Sequence, residues 1–108
     1  MYYIYMLRCD DNSLYTGMTS DIKRRFCEHK EQLGKGAKYT RSHNPQMIAA
    51  LWQTELKKDA CRLEYRIKTL KKSDKEDIIS GEKALCDFFV NLDVDLYKRI
   101  AEPLIELS

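Results

Sequence analysis

Nowhere does this sequence of 108 residues approach the run of about 20 apolar residues that a bilayer-spanning helix needs. A leader pattern is missing as well. MYYIYMLRCDD has neither a basic stretch ahead of an apolar one nor a small-residue cleavage site, so no signal peptide is expected. Cys9, Cys27, Cys61 and Cys86 include no CxxC pair, which argues against a zinc site and a dithiol redox motif. They read as free thiols, and the expected location is the reducing cytoplasm. No internal repeat or low-complexity segment is visible.

What is there is ordinary in total and uneven in distribution. With 44% hydrophobic and 33% charged residues, the chain has the composition and size of one folded domain with a single core. The net charge of +2 hides a division. Residues 1–73 carry 15 Lys and Arg against 8 Asp and Glu, a net of +7. Residues 74–108 carry 4 against 9, a net of −5. A basic body suits a polyanionic partner, although solvated charge alone also accounts for such a face.

Aromatic and β-branched residues over 2–8, YYIYMLR, predict a strand with Tyr3, Tyr5 and Leu7 on one face and Tyr2, Ile4 and Met6 on the other. The cluster Asp10-Asp11-Asn12-Ser13 predicts a turn, and Leu14 to Met18 a second strand completing a hairpin. Gly17 fits a bulge or a close backbone approach. Ser20 or Asp21 can cap a helix running to about Leu33, with Gly34 as its stop and Ile22, Phe26 and Leu33 as its apolar stripe. A basic loop, GKGAKYTRSHNP, follows. The apolar run Met47–Trp52 is consistent with a central strand, and periodicity leaves a helix open. Asp59 is the expected cap of a helix with Ala60, Leu63, Ile67 and Leu70 inward. Ser73-Asp74-Lys75-Glu76 reads as a capping box opening a short helix that Gly81 ends. The rest predicts one or two acidic amphipathic helices, with Leu85, Phe88, Phe89, Leu96 and Ile100 inward. The expected fold is α+β, a small three-stranded antiparallel sheet flanked by helices. Residues 1–80 are expected to be the main domain, and 81–108 an acidic helical extension packed on or beside it.

Certain polar residues fall where apolar ones belong. Arg25 and His29 are four apart, hence on one helix face, and His29 shares the stripe of Phe26 and Leu33. A buried guanidinium needs an anion, and a phosphate would serve. Glu64 lies on the edge of the stripe made by Ala60 and Ile67, where a carboxylate needs a cation or a metal. Spacing alone favours the plainer readings: an exposed Arg25 beside a half-core histidine, and a salt bridge from Glu64 to Arg25, Arg66 or Lys68. One carboxylate makes a sparse site that water and phosphate would complete, which suits Mg²⁺. Tyr3, Tyr5 and Tyr15 serve as cross-strand packing by default. A phenol near Arg25 and a metal would instead be expected to titrate below its usual value near 10. In the loop, Lys35, Lys38 and Arg41 around Tyr39 suit phosphate contacts with one stacking ring.

The set Tyr3-Ile4-Tyr5, Tyr15-Thr16-Gly17, Arg25, His29 and Glu64 resembles the GIY-YIG nuclease superfamily, and in particular its small stand-alone bacterial proteins. The likeness covers roughly residues 1–80. It implies a metal-dependent endonuclease that hydrolyses DNA phosphodiester bonds in repair or recombination, on branched or damaged duplex. Tyr5, Tyr15, Arg25, His29 and Glu64 would be its catalytic residues. Glu64 would hold a single Mg²⁺ or Mn²⁺, Arg25 would stabilise phosphoryl charge, Tyr15 with His29 would activate water, and Tyr5 would order the metal's water shell. Nucleic acid would be held by Arg25, Lys35, Lys38, Tyr39 and Arg41. Tyr3 stands where the family has a glycine, Thr16 where it has isoleucine, Met18 where some members have lysine, and the late asparagine is absent. Two alternatives use the same fold: a nucleic-acid-binding module without activity, and an interaction module whose C-terminal helices hold a second copy or a protein partner.

Overall fold

The computed structural model describes residues 1–30 and 45–100, with His29 and Lys30 as backbone only. Strands β1 (Tyr2–Cys9) and β2 (Leu14–Thr19) form the expected hairpin. Its turn is held locally: the Asp11 carboxylate accepts from the Ser13 N–H at 3.0 Å and its hydroxyl at 2.6 Å. Asn12 takes the left-handed conformation that such a turn requires, at φ 70°. Helix α1 (Ile22–Lys30) follows, and of the two candidate caps Asp21 does the work, accepting from the Arg24 N–H at 3.2 Å. The expected end of this helix at Leu33 and Gly34 lies outside the described residues, as do Lys35, Lys38, Tyr39 and Arg41.

The apolar run is a strand, β3 (Pro45–Thr54), paired with β1. Next come α2 (Lys57–Lys68), α3 (Lys72–Ser80), a single-turn α4 (Leu85–Phe88), a 3-10 turn at Val94–Leu96 and a two-residue β4 (Lys98–Arg99). The three strands read from the sequence are joined by this fourth, in the antiparallel order β2-β1-β3-β4.

Strand alternation sorts the core into two layers. On one face Tyr5 and Leu7 pack with Phe26 of α1 and Leu51. On the other, Ile4, Met6, Ala50 and Trp52 pack with Ala60, Leu63 and Ile67 of α2, Ile78 of α3, and Leu85, Phe89, Leu92 and Tyr97. Strand β1 is therefore apolar on both sides because both sides are covered.

Three local expectations give way to longer-range contacts. Asp59 does not cap α2. It sits in the first turn, buried, with Arg62 at 3.9 Å, and Leu56 precedes the helix. Glu76 does not close a capping box, because both its oxygens are taken at 2.6 Å by the Arg8 guanidinium. Among the described residues after Gly81, the expected acidic amphipathic helices shrink to one turn of α-helix and one of 3-10, and the chain then turns back to the sheet. There Tyr97 donates to the Asp59 carbonyl at 2.6 Å, and Arg99 donates to the Ile78 and Ile79 carbonyls at 2.9 and 3.2 Å. Leu85 and Phe89 are buried as expected, but Leu96 is exposed, and Leu92 and Tyr97 take the inward places. Gly81 ends α3 at φ 87°, as a C-cap glycine does.

Candidate active site

Tyr5 faces Gly17 across the hairpin, the two being register partners with side-chain positions on one face. A Cβ on Gly17 would fall 2.5 Å from the Tyr5 hydroxyl oxygen and 2.7 Å from the ring carbon that bears it. The glycine is needed for close approach, and what approaches is the phenol. It leads Tyr5 out over the edge strand, with the Tyr15 ring 6.4 Å away and tilted by 45°.

Three elements converge on that hydroxyl. From α1, Arg25 donates a hydrogen bond to it. From β2 comes Tyr15, and from α2 comes Glu64, whose charge is felt at Tyr5. Helix α2 lies against the other layer and also contacts the edge strand β2. Burial pushes the Tyr5 phenol well above its ordinary value. Tyr15 and Glu64 push the same way, and the Arg25 bond opposes them without winning. Arg25 by itself therefore does not lower the titration of Tyr5; the lowering is expected of a phenol beside both Arg25 and a metal. Tyr5 is 1% exposed, and desolvation of a phenolate outweighs one partly exposed guanidinium. A neutral phenol both accepts and donates, and Tyr5 is thus an oriented hydrogen-bonding group.

Arg25 is half-buried, not exposed as spacing alone favoured, and it pairs with Glu28 at 3.0 Å. Sequence reasoning missed Glu28, which is 8% exposed. The available signal was its spacing three residues after Arg25. Glu64 takes the salt bridge to Lys68 at 3.2 Å, one of the three cations the sequence allowed. Of His29 the structure gives the backbone, one turn beyond Arg25 on α1.

Among the described residues, no three His, Cys, Asp or Glu side chains gather as a metal cage. Glu64 offers one carboxylate, partly open to solvent, whose charge is felt at the Tyr5 phenol. That donor set fits a hard cation that keeps most of its water, and does not fit a thiolate or imidazole metal.

The family model described as the GIY-YIG catalytic domain matches residues 1–77. The chain belongs to the GIY-YIG family. Its matched span takes in the hairpin, α1, β3, α2 and most of α3, with Tyr5, Tyr15, Arg25, His29 and Glu64 inside it. Small bacterial proteins of the UPF0213 group are similar to it. UPF0213 protein BH0048 of Halalkalibacterium halodurans is 44% identical over 79 residues, 73% of this chain and 82% of that one. UPF0213 protein FN1575 of Fusobacterium nucleatum is 47% identical over 79 residues, 73% and 77% of the two chains. UPF0213 protein YhbQ of Salmonella arizonae is 38% identical over 98 residues, 91% and 96% of the two. The solution NMR structure of UPF0213 protein BH0048 from Bacillus halodurans is similar at 39% identity and a TM-score of 0.49, covering 86% of this chain and 98% of that one. Membership of this family suggests nuclease activity. No helix among the described residues is long and apolar enough to cross a membrane.

Proposed function

We propose that the protein is a divalent-metal-dependent endonuclease that hydrolyses DNA phosphodiester bonds. One observation carries the reading: Arg25 bonds the Tyr5 hydroxyl where Gly17 leaves room for it, with Glu64 close enough to act on that hydroxyl. A guanidinium, two phenols and a carboxylate from four elements suit a scissile phosphate better than they suit packing. Glu64 is the residue that would hold Mg²⁺ or Mn²⁺, which supplies Lewis-acid stabilisation of phosphoryl and leaving-group charge when bound. Arg25, held by Glu28 and Tyr5, is already oriented to neutralise charge on the phosphoryl oxygens. Tyr15, with His29 one turn along from Arg25, takes the proton of the attacking water as its oxygen bonds to phosphorus and the ester oxygen leaves. Tyr5 stays protonated and orders water by hydrogen bonding. Lys35, Lys38, Tyr39 and Arg41 would hold the flanking strand. Branched or damaged duplex as substrate, and a role in repair or recombination, extend the same reading.

A nucleic-acid-binding module without activity has one observation behind it. Arg25 and Glu64 are both ion-paired within the chain, so neither requires a metal or a phosphate for the fold.

The test uses supercoiled plasmid and labelled branched DNA with Mg²⁺, Mn²⁺ or EDTA, beside Glu64→Ala. Cleavage that needs metal and is lost in the variant is the expected result. Equal binding by both proteins with no cleavage by either would overturn the nuclease in favour of the binding module.

A further inference from the structure

The sheet face opposite Tyr5 carries a second concave feature, built mainly by residues beyond the span that matches the family. A cavity of about 350 Å³ opens between Trp52 of β3, Ile78 of α3, and Leu85 and Tyr97 of the C-terminal segment, with Lys83 and Arg99 also lining it. This volume lies at the small end of the range of ligand pockets. Its walls are apolar and aromatic, and among the described residues its charged groups are both cations and no carboxylate lines it. The nearby Asp87 carboxylate is occupied by the Ala84 N–H at 2.7 Å.

The two cations have no carboxylate partner among the described residues. Arg99 spends two N–H groups on the Ile78 and Ile79 carbonyls and lies over the Trp52 ring at 5.3 Å. Lys83 lies over the Phe88 ring at 5.6 Å. Arg99 is thus fixed in place by neutral groups with its charge uncompensated. Arg99 is an exposed residue whose guanidinium is partly desolvated; this lowers its pKa, and no anion among the described residues acts in the other direction. An anion bound there would meet a guanidinium already held in place by the Ile78 and Ile79 carbonyls.

We propose that this cavity binds a small amphiphilic anion: an aromatic or branched aliphatic body bearing one carboxylate or phosphate. The apolar body would lie against Trp52, Ile78, Leu85 and Tyr97, and the anionic head would meet Arg99 and Lys83. A neutral apolar ligand would leave both cations uncompensated, and a bare inorganic anion would leave the apolar walls wet. Complementarity selects the molecule that carries both parts. The site is independent of the nuclease reading, since none of its lining groups belongs to the Tyr5, Arg25 and Glu64 constellation.

Trp52 is the single tryptophan of the chain, so its indole N–H gives one resonance that reports on the cavity directly. The full chain is titrated with phenyl phosphate, phenylacetate, benzyl alcohol and inorganic phosphate and followed by ¹H–¹⁵N correlation spectra. The expected result is saturable shifts centred on Trp52, Gly81, Leu85 and Tyr97 for the two aromatic anions. Benzyl alcohol and inorganic phosphate should each bind at least about tenfold more weakly. Whichever of the two anions binds more tightly identifies the head group. Lys83→Met should weaken the anions about tenfold, leave benzyl alcohol unchanged, and, being at an exposed position, keep the fold. Glu64→Ala should bind as the native chain does, whether or not the native chain cleaves DNA. Benzyl alcohol binding as tightly as the anions, shifts centred on Arg25, or affinities untouched by Lys83→Met would each overturn the proposal. Filling of the cavity by another part of this chain would appear as no saturable shift with any of the four probes, which overturns it too.

Discussion

The Tyr5 hydroxyl occupies the space that a side chain at Gly17 would fill, 2.5 Å from where its Cβ would stand. Tyr5 cannot retreat, because its ring is 1% exposed and packed against Leu7, Phe26 and Leu51. Gly17→Ala must therefore move the phenol away from Arg25 or distort the hairpin. Overpacking of this kind costs about 1–3 kcal/mol, equivalent to a fall in Tm of about 4 °C or more for a chain of this size. Thermal denaturation with parallel plasmid cleavage tests both, and cleavage should fall at least about tenfold. An unchanged Tm with full activity would show that the phenol does not need this place.

Tyr5 and Tyr15 are expected to separate in their pH dependence. Burial holds the Tyr5 pKa far above its ordinary value, so the group is protonated throughout the working range and cannot supply a basic or acidic limb. Tyr5→Phe should lower kcat at every pH and leave the profile's shape alone. Tyr15→Phe and His29→Ala should change the shape if, as proposed, one of them accepts the proton of the attacking water. A Tyr5→Phe profile that loses a limb would transfer that role to Tyr5.

Thr16 stands where the family pattern has isoleucine, and its hydroxyl is the weak point of the sheet. The residue is 3% exposed, and Oγ1 has no hydrogen-bond partner among the described residues. Thr16→Val keeps the shape and removes the stranded polar group, so stability should rise by about 1 kcal/mol. Chemical denaturation measures it, and a loss of stability would mean that the hydroxyl has a partner.

These residues also mark how far the sequence could be read. Alternation at Tyr5 and Ile4 and helical spacing at Phe26, Leu63 and Ile67 located both core layers, because local period and burial agree there. Arg25 and Glu64 stood out because a charge on an apolar stripe conflicts with its neighbours. Their partners Glu28 and Lys68 were within reach of the same spacing rules. What a local pattern could not supply was the far ends of contacts. Glu76 gives up a capping box for Arg8, which is 68 positions away. Leu92 and Tyr97 are buried in a segment with too little helix to show a period. There the tertiary packing decides, and among the described residues the helices that the acidic composition pointed to are reduced to single turns.

The Arg8–Glu76 pair sets an acid limit on stability. Both Glu76 oxygens meet the Arg8 guanidinium at 2.6 Å, and this bonding lowers the Glu76 pKa below its ordinary 4.5. A lowered folded-state value makes the contribution fully present above about pH 4.5 and lost as pH falls through the folded value. Because the side chains are 22% and 33% exposed, solvent screening keeps it to about 1 kcal/mol. Glu76→Gln should be less stable than the native chain at pH 7, and the gap should close on acidification. Parallel stability curves from pH 7 to pH 2 would refute this coupling if their spacing stayed constant.

Residues 81–108 are expected to be inseparable from the fold. Leu85, Phe89, Leu92 and Tyr97 share one core cluster with Ile4, Met6 and Trp52 of the sheet. Burying a large apolar side chain is worth about 1.5–3 kcal/mol, and a domain's whole stability is about 5–15 kcal/mol. Deleting the segment removes four such side chains, the Arg99 bonds at the end of α3 and β4 at once. A chain of residues 1–80 should then lack a cooperative thermal transition by circular dichroism, and any loss of DNA cleavage in it would follow from unfolding. A native-like melt of 1–80 would instead make 81–108 a removable extension. Tyr97→Phe is the gentler probe. It deletes only the buried 2.6 Å bond to the Asp59 carbonyl at the start of the helix that carries Glu64. Its expected cost of about 1 kcal/mol leaves the protein folded. If cleavage fell far more than that loss of stability allows, the C-terminal segment would be acting on the position of α2 as well as on the core.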